Sequence, residues 1–313
     1  MNQPEVCIIM LNWNGLADTV ECLESLLTLS YPNYRVIVVD NGSQGDDGKV
    51  LKQRFGDYIH LIQNDKNYGF AEGNNIGMRY ALTNLKPDYY MLLNNDTVVA
   101  PDFVDKMVAV GEGEPQVGIL GPKIYYHDVN GRKNIIWSAG GKIRWWRPWI
   151  YDGIGNGKED GSQYQGLRAV AWVSGAALMF KREVLEQLSF LNANYFSGNE
   201  DVEYCLKARR YGFKVVYVPT AKVWHKVGRA RPHPTSISES ALHATTARSR
   251  RKRGRRFADL PPYYRLLRRN FPTRVYVYHL LILPLLLCQR GAFWLMDTLK
   301  PRKVEARESS QAN

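Results

Sequence analysis

The chain has 313 residues, enough for one large domain with an appendage, and its composition is that of a globular protein with an ordinary charged fraction. The net charge of +12 lies at one end: residues 1–240 hold 26 Lys and Arg against 26 Asp and Glu, whereas residues 241–313 hold 16 against 4. This distribution excludes a uniformly basic protein. It predicts instead a neutral domain whose basic tail meets a polyanionic surface, either lipid headgroups or nucleic acid.

The four cysteines are scattered along the chain and lie in no zinc-binding spacing. They are Cys7, Cys22, Cys205 and Cys288, and they indicate small buried side chains in a reducing compartment. Only six apolar residues follow Glu5 before Asn12 ends the run, so the N-terminus is not expected to be a secretory signal peptide. We therefore expect a cytoplasmic protein.

The first hundred residues alternate short apolar runs with segments of helical periodicity. Strands are predicted at 6–11, 36–39, 58–62 and 89–93, with helical segments between them. Repeated β–α units of this size predict a doubly wound, mainly parallel sheet. No G-x-G-x-x-G follows the first strand, so a dinucleotide-binding fold is disfavoured.

The second half is less regular. Pro101 opens a predicted helix that runs to about Gly111, and Gly212 ends a helix that begins at Glu200. Strands are predicted at 117–126, 169–180 and 214–219, with a short helix at 181–188. Residues 135–165 are rich in Gly and Trp, and no regular element is predicted beyond Arg231 until the tail.

The strand at 89–93 stops at Asn94, Asn95 and Asp96, after which apolar residues resume. A carboxylate at the tip of a buried strand is unfavourable unless a cation lies close by. Ligands of α/β sheets bind at the carboxyl ends of the strands. Asp96 is therefore a candidate for handling a metal or a diphosphate, and the alternative is a turn residue between two strands.

Three other features could carry chemistry. Asp40 ends the second strand, where its carboxylate can accept hydrogen bonds from a base or a ribose. Glu200 and Asp201 open a helix, where the dipole favours negative charge. His225 follows a late strand. Taken one at a time, helix-end electrostatics accounts for the acidic pair, and a buried histidine bonded to backbone accounts for His225.

The order of these features along the chain is more specific than any of them alone. The motifs, in order, are Asn-Trp-Asn-Gly at 12–15, Val-Val-Asp-Asn-Gly-Ser at 38–43, Asn-Tyr-Gly-Phe-Ala-Glu-Gly-Asn-Asn at 67–75, Leu-Leu-Asn-Asn-Asp-Thr at 92–97, Trp-Val-Ser-Gly-Ala at 172–176 and Asn-Glu-Asp-Val-Glu-Tyr-Cys-Leu-Lys-Ala-Arg-Arg at 199–210. Over roughly residues 5–230 this set resembles the family 2 glycosyltransferases. It is most similar to the bacterial rhamnosyltransferase-type members that build surface polysaccharides.

The resemblance implies a GT-A fold, which is a Rossmann-like α/β fold with a mixed, mainly parallel sheet flanked by helices, here with a basic and apolar C-terminal appendage. It also implies inverting transfer of a sugar from a nucleotide diphosphate donor, dTDP-rhamnose or a UDP-sugar, to a glycan or a polyprenyl-linked acceptor. The expected domains are a catalytic domain at 1–231, divided into a nucleotide-binding half at 1–100 and an acceptor half at 101–231, a basic mobile linker at 232–260 and a membrane-associating segment at 261–313.

The resemblance also implies roles for individual residues. The implied nucleotide-binding residues are Asn12, Trp13, Asn14, Asp40, Asn67, Gly69, Gly73, Asn74 and Asn95. The implied acceptor-binding residues are Trp172 and Gly175, the implied general base is Asp201, and Glu200 beside it would orient the acceptor.

Asp96 and His225 are the implied metal ligands, and oxygen and nitrogen ligands completed by diphosphate oxygens favour Mg²⁺ or Mn²⁺. The first acid of the family's D-x-D element is replaced by Asn94. An amide oxygen is a neutral, weaker ligand, so we expect the metal to depend on His225 and on the phosphates of the donor.

The tail contains a basic run at 248–256 and an apolar stretch at 275–288 that is 14 residues long. This stretch is shorter than the ~20 residues needed to span a bilayer. Its basic and aromatic flanks favour a helix lying in the membrane interface, at the inner face of the plasma membrane. A helix packed on the core is the alternative, and nucleic acid is disfavoured because no recognition module accompanies the charge.

Two other functions remain open from the sequence. A sugar nucleotidyltransferase could share the sheet, but it would need a Gly-rich basic loop after the first strand, and the loop that begins at Asn12 has no basic residue. A non-catalytic nucleotide-sugar-binding protein or a basic adaptor is the second alternative. The presence of Asp96, Asp201 and His225 together argues against it.

Overall fold

The computed structural model describes residues 3–146, 151–227 and 260–282. The first half contains β1 (Val6–Asn12), α1 (Leu16–Leu26), β2 (Tyr34–Asp40), α2 (Asp47–Phe55), β3 (Ile59–Gln63), α3 (Gly69–Asn84) and β4 (Tyr89–Asn94). The rest contains β5 (Thr97–Val99), α4 (Phe103–Gly113), β6 (Val117–Tyr126), β7 (Ile136–Ser138), β8 (Gly141–Ile143), β9 (Tyr151–Gly153), β10 (Arg168–Ala169), β11 (Ala177–Lys181), α5 (Arg182–Leu188), α6 (Glu200–Arg210), β12 (Lys214–His225), α7 (Leu260–Asn270) and α8 (273–282).

One mixed sheet carries the fold, with the strand order β3-β2-β1-β4-β11-β6-β12-β10. Strands β3, β2, β1 and β4 are parallel, as the β–α alternation predicts. Strand β11 runs antiparallel to both β4 and β6, and β12 runs parallel to β6. The carboxyl ends of β1, β2, β4, β6 and β12 therefore share one edge of the sheet.

Helices cover both faces of the sheet, so the central strands are buried on both sides. In β1, Val6, Ile8 and Met10 face the core under α1, α2 and α4. Cys7 and Ile9 face the opposite core under α3, α5 and α6. This two-sided burial is why the strand reads as an uninterrupted apolar run rather than as an alternating one.

Two sequence predictions in the second half are corrected by the structure. The strand predicted at 169–180 is divided into β10 and β11, because residues 170–176 leave the sheet. There the backbone of Trp172 pairs with Gly141 instead. The strand predicted to end at Pro219 continues to His225 as β12. A shift in its pairing with β6 between Val218 and Lys222 accommodates the proline, which has no N–H to donate.

The tail is described only in part. Helix α7 packs on α6, where Leu266 is fully buried against Val202 and Leu206. The basic linker predicted at 232–260, and the end of the apolar stretch, lie almost entirely outside the described residues. Within the described residues, no helix is both long and apolar enough to cross a membrane. Cys7, Cys22 and Cys205 are buried free thiols, as expected, and Cys288 lies outside the described part of the chain.

A buried ion pair ties the irregular segment after β9 to the sheet. The Lys123 side chain is fully buried in β6, and its Nζ donates to Asp160 Oδ1 at 3.0 Å and to Oδ2 at 2.9 Å. The Tyr125 hydroxyl donates to Asp160 Oδ2 at 2.6 Å. A lone buried ammonium would be very unfavourable, so this arrangement requires the loop that carries Asp160 to stay in place.

We therefore expect Lys123→Met to destabilise the protein by about 3 kcal/mol, because removing one partner leaves the Asp160 carboxylate beside an apolar side chain. The measurement is urea unfolding followed by circular dichroism. Lys158→Met, at an exposed position in the same segment, is the matched control and should change stability by less than about 0.5 kcal/mol. Equal stability of the two variants would contradict a stabilising role for the pair.

Candidate active site

The polar residues that end the parallel strands meet at one edge of the sheet. Asn12 and Asp40 are paired in register at the ends of β1 and β2, and Leu11 is opposite Asn94 of β4. At the end of β12, His225 pairs with Thr97, the residue after Asp96. Paired residues 28 to 128 positions apart in sequence thus lie at the same edge.

A hydrogen-bonded cluster holds Asp40 at this edge. Asn12 is fully buried, and its Nδ2 donates to Asp40 Oδ1 at 3.2 Å and to Asp47 Oδ2 at 3.0 Å. Its Oδ1 accepts from Thr19 at 2.8 Å. The Ser43 hydroxyl also donates to Asp40 Oδ1. Asn12 therefore fixes Asp40 and helix α1 in place, and every polar atom of its amide is already bonded within the protein.

Asn41 organises the loop that precedes α3. Its Nδ2 donates to Asn67 Oδ1 at 3.0 Å and to the Gly69 carbonyl at 3.1 Å. Its Oδ1 accepts from Asn64 and from the Tyr68 N–H. The sequence alone assigns no role to Asn41, because its partners lie 23 to 28 residues away. No local pattern reveals them.

Gly69 is required by both its backbone angle and its surroundings. Its φ is +83°, and a Cβ there would lie 2.5 Å from the Phe196 carbonyl oxygen. The next residue, Phe70, donates its N–H to the same oxygen at 2.6 Å. The loop that precedes α3 therefore contacts the loop that leads into α6.

The other residues implied for nucleotide binding differ in how exposed they are and in what they contact. Trp13 is exposed at the end of β1, and Asn14 accepts a hydrogen bond from the Gln44 N–H at 2.7 Å. Asn95 donates to Thr19 Oγ1 at 2.9 Å. Gly73 packs against Leu11 and Asn41. Asn74 is buried and donates to the Phe70 carbonyl one turn earlier in α3, so the structure places it inside the helix packing rather than on an open surface.

Asp96 and His225 form a buried pair at the centre of the edge. His225 Nε2 lies 3.0 Å from Asp96 Oδ1, and the Lys226 N–H donates to the Asp96 carbonyl at 2.9 Å. Among the described residues, His225 Nδ1 is buried and has no hydrogen-bond partner. Asn94 Nδ2 lies 3.5 Å from His225 Nε2, so the residue in place of the first acid of D-x-D sits beside the pair.

The pair fits a divalent cation, although it is an incomplete site. The separation of 3.0 Å matches that of two adjacent ligands in an octahedral shell whose bonds are ~2.1 Å long. A carboxylate oxygen and an imidazole nitrogen suit Mn²⁺ and Mg²⁺. In the part of the chain that the structure describes, no group of three His, Cys, Asp or Glu forms a metal cluster. Other ligands would have to come from a bound molecule.

Lys226 is a positioning residue that sequence reasoning missed. Its Nζ is nearly fully buried and donates to Asp18 Oδ1 at 2.7 Å and to Glu21 Oε2 at 2.6 Å. Both acids lie on α1, more than 200 residues earlier, so the sequence gives no signal for the contact. The pair of salt bridges attaches the end of β12, and with it His225, to the first helix.

Asp201 and Glu200 lie at the start of α6, close to Gly175 and the edge where β4 ends. Gly175 donates its N–H to Asp201 Oδ2 at 2.8 Å, and Val202 donates to Oδ1 at 2.8 Å. A Cβ on Gly175 would be 3.3 Å from the Asp201 Cβ, so the glycine permits this close approach. Glu200 is buried, and within the described structure its Oε2 has no hydrogen-bond partner.

Burial disfavours the charged form of both carboxyl groups. Burial raises the pKa of Glu200 to about 8, and the negative charge of Asp201 adds to the shift. Burial also raises the pKa of Asp201, and the N–H groups of Gly175 and Val202 oppose that rise. The pair can thus combine one carboxylate with one protonated acid, which is a hydrogen-bond donor at neutral pH.

Trp172 lies on the same side as Gly175. Its ring is half-buried and packs edge-on against Tyr151, with centroids 6.2 Å apart. Its Nε1 is buried, and no described residue accepts its hydrogen bond. The indole edge that carries Nε1 packs over Gly141, where a Cβ would lie 2.1 Å from Nε1.

Comparison with known proteins gives the site a context. The profile described as glycosyltransferase like family 2 matches residues 4–254. The dTDP-rhamnosyl transferase RfbF of Shigella flexneri is 28% identical over 216 residues, which cover 66% of this chain and 64% of RfbF. The N-acetylglucosaminyl-diphospho-decaprenol L-rhamnosyltransferase of Mycobacterium tuberculosis is 24% identical over 223 residues, which cover 67% of this chain and 72% of that enzyme. For four curated relatives the match spans only 25% to 64% of their own length.

The fold is similar to that of solved structures. The mannosyltransferase PcManGT of Pyrobaculum calidifontis, solved in complex with GDP-Man and Mn²⁺, superposes with a TM-score of 0.60 at 18% identity, covering 96% of this chain and 77% of that one. This likeness confirms the GT-A fold.

The raised pKa of Glu200 predicts a dependence of stability on pH. The folded protein keeps the proton up to about pH 8, whereas the unfolded chain releases it near its ordinary value of 4.5. The folded state therefore binds more protons in this interval. The free energy of unfolding should fall as the pH rises through it, by up to ~1.4 kcal/mol per pH unit.

Urea unfolding between about pH 5 and about pH 8 measures this slope. Glu200→Gln, which cannot ionise, should flatten it, and Glu183→Gln, the control at an acid in the first turn of α5, should not. An unchanged slope in Glu200→Gln would show that the carboxyl titrates normally.

Proposed function

From the membership of this chain in glycosyltransferase like family 2, we propose that it is an inverting, metal-dependent glycosyltransferase that transfers a sugar from a nucleotide diphosphate donor to an acceptor hydroxyl. The observation that carries the proposal is the position of Asp201, which the Gly175 N–H holds on the same edge of the sheet as Asp96 and His225. A carboxylate base and a cation-binding pair on one edge are what direct displacement of a diphosphate requires.

The donor in this proposal is dTDP-rhamnose or a UDP-sugar, and the acceptor is a glycan or a polyprenyl-linked sugar used in cell-surface polysaccharide synthesis. Two relatives support this choice by name, one a dTDP-rhamnosyl transferase and the other an L-rhamnosyltransferase named for a decaprenol-linked N-acetylglucosaminyl diphosphate. Asp40, fixed by Asn12 and Ser43, would accept hydrogen bonds from the nucleoside. Exposed Trp13 would contact the base.

Asp96 and His225 would hold the cation, Mg²⁺ or Mn²⁺, together with oxygens of the donor diphosphate. When bound, such a cation neutralises charge that develops on the departing diphosphate. Lys226 keeps His225 beside Asp96 through its salt bridges to α1. Asn94 contributes no negative charge there, so the site repels an anionic donor less than a pair of acids would.

Asp201 would take the proton from the acceptor hydroxyl as its oxygen attacks the anomeric carbon. Attack on the face opposite the leaving diphosphate gives inversion. General base catalysis of this kind contributes about 10²- to 10⁴-fold to the rate. Glu200 would remain protonated at neutral pH. Its Oε2, which has no hydrogen-bond partner among the described residues, would donate to the acceptor and so orient the acceptor hydroxyl toward Asp201.

The proposal includes peripheral association with the inner face of the plasma membrane, because a polyprenyl-linked acceptor would reside there. The basic tail of the sequence supports it, since residues 241–313 hold 16 Lys and Arg against 4 acids.

We expect Mn²⁺ and the donor to bind cooperatively. With only two protein ligands, Mn²⁺ alone should bind weakly, with Kd of about 10⁻⁴ M or above. In a thermal-shift screen, dTDP-rhamnose and UDP-sugars should raise the Tm more with Mn²⁺ than without it. His225→Ala should remove that increment, whereas His60→Ala, on the distant strand β3, should keep it. Tight stoichiometric Mn²⁺ binding by the donor-free protein in calorimetry would contradict the two-ligand site.

We expect Asp201→Asn to lower the rate of transfer by about 10²- to 10⁴-fold while donor binding is unchanged, because the amide cannot take the hydroxyl proton. The assay measures nucleoside diphosphate release from the donor that the screen identifies, with an N-acetylglucosaminyl-diphospho-polyprenol acceptor. Asp57→Asn, at a fully exposed position, is the control. Turnover by Asp201→Asn comparable to that of the unmodified protein would exclude Asp201 as the base.

A further inference from the structure

Helix α8 has two apolar faces, and only one of them is packed. Val275 and His279, one turn apart, are buried against Tyr263 of α7. On the other side Val277, Leu280 and Leu281 are exposed, with Leu281 64% exposed. A surface helix of a globular protein normally has polar residues on the side that faces water. This helix has apolar ones.

Two tryptophans extend the exposed face. Trp145 and Trp146 are 51% and 55% exposed. The Tyr278 hydroxyl donates to the Trp146 carbonyl at 3.3 Å, and the Tyr278 ring lies 6.1 Å from that of Trp145. We call the exposed side chains of Trp145, Trp146, Val277, Leu280 and Leu281 the open apolar patch. It holds five of the eleven exposed large apolar side chains among the described residues, so the exposure is clustered rather than scattered.

The helix is held firmly where these side chains project. His279 Nε2 donates to the Trp145 carbonyl at 2.6 Å, and the Tyr263 hydroxyl lies 3.0 Å from His279 Nδ1. His279 is almost completely buried. The tryptophan backbone and α8 are therefore fixed to each other by a buried polar contact. The open apolar patch is a preformed surface rather than a set of independent side chains.

Exposed arginines lie on the two helices that form this region. Arg274 is exposed and lies three residues before Val277 and seven before Leu281, which places it on the same helical face. Arg268 is exposed near the end of α7. The sequence just before α7 adds seven Lys and Arg with no acid between 248 and 256. Apolar side chains, tryptophans and cations together match the chemistry of an anionic membrane interface.

The patch is joined to the acceptor side of the site by aromatic contacts. The Tyr263 ring lies 6.1 Å from Tyr151, which lies 6.2 Å from Trp172. Leu266 of the same helix packs on Val202, the residue after Asp201. The helices that carry the patch are thus also packed on the helix that carries the base.

We propose that the open apolar patch is a docking surface for an anionic lipid bilayer, which seats the acceptor side of the site at the membrane. This inference rests on the proposed function for its purpose, but the patch can be tested without any catalysis. The patch inserts its tryptophan and leucine side chains among the lipid headgroups, and the adjacent arginines contact lipid phosphates. The bilayer then presents a lipid-linked acceptor to the segment between Trp172 and Gly175.

The test is co-sedimentation of the full chain with vesicles of phosphatidylcholine containing about 30% phosphatidylglycerol. The unmodified protein should bind these vesicles at low salt and should bind vesicles of phosphatidylcholine alone more weakly. Leu281→Asp should lower the affinity by roughly tenfold or more, since it places a charge in the apolar face. Leu167→Asp, at a position with 58% exposure outside the patch, is the matched control and should bind normally.

Trp146→Ser is a second variant that introduces no charge, and Tyr211→Ser, at a similarly exposed position outside the patch, is its control. Unchanged binding by both patch variants, or no binding by the unmodified protein, would overturn the proposal. So would a dimer in light scattering that Leu281→Asp converts to a monomer, because a second copy would then be the occupant.

Nucleoside diphosphate release from the donor in detergent separates the two proposals. The patch variants should keep this activity, because they leave the catalytic edge unchanged. Loss of vesicle binding with retained release supports the patch as the docking surface. Normal vesicle binding by a protein that releases no nucleoside diphosphate would contradict the enzymatic proposal and leave the docking surface supported.

Discussion

The hydrogen bond from the Gly175 N–H to Asp201 Oδ2 joins the centre of the sheet to the start of α6, and the arrangement of the site depends on it. Gly175 lies two residues before β11, the strand inserted antiparallel between β4 and β6. Because β11 runs against its neighbours, its first residues are at the edge where β4 ends. A strand in the parallel direction would have placed Gly175 at the opposite edge, away from Asp96. The reversed direction of β11 therefore brings the acidic pair to the same edge as Asp96 and His225.

Most of the fold of the first hundred residues could be predicted from the sequence, because the strands in this segment are buried on both faces. An apolar run of five or six residues followed by apolar residues at helical spacing predicts a buried strand and then a helix. Strands β1 and β4 end within one residue of their predicted ends. The apolar run at 169–180 does not form the single strand that its composition predicts. Its middle leaves the sheet because Trp172 pairs with Gly141 and Gly175 bonds Asp201, and both contacts join residues more than 25 positions apart. A single-residue pattern contains no information about them.

The candidate site divides in the same way. Asp40 ends the apolar strand β2, and Asp96 lies in the turn between the apolar strand β4 and β5, so both are recognisable from the sequence. The sheet edge follows from the strand direction. Asn41 and Lys226 are not recognisable, because their importance comes from partners elsewhere in the chain. For Asn12 the sequence predicts the position but not the contacts. Its side-chain amide makes hydrogen bonds to Asp40 and Thr19 and has no polar atom left for a ligand. A residue at a strand end can thus shape a pocket without contacting its ligand.

The replacement of the first D-x-D acid by Asn94 has a thermodynamic consequence. Asp96 and His225, if they were the only protein ligands, would leave most of a divalent cation's shell to other oxygens. If the diphosphate supplies them, the cation raises the affinity for the donor and the donor raises the affinity for the cation by the same factor. A second carboxylate would strengthen cation binding in the empty site and repel the diphosphate whenever the cation was absent. A neutral amide at this position lowers the affinity for the cation when no donor is bound. The cation would then bind mainly together with the donor, whose departing diphosphate carries the charge that the cation can offset.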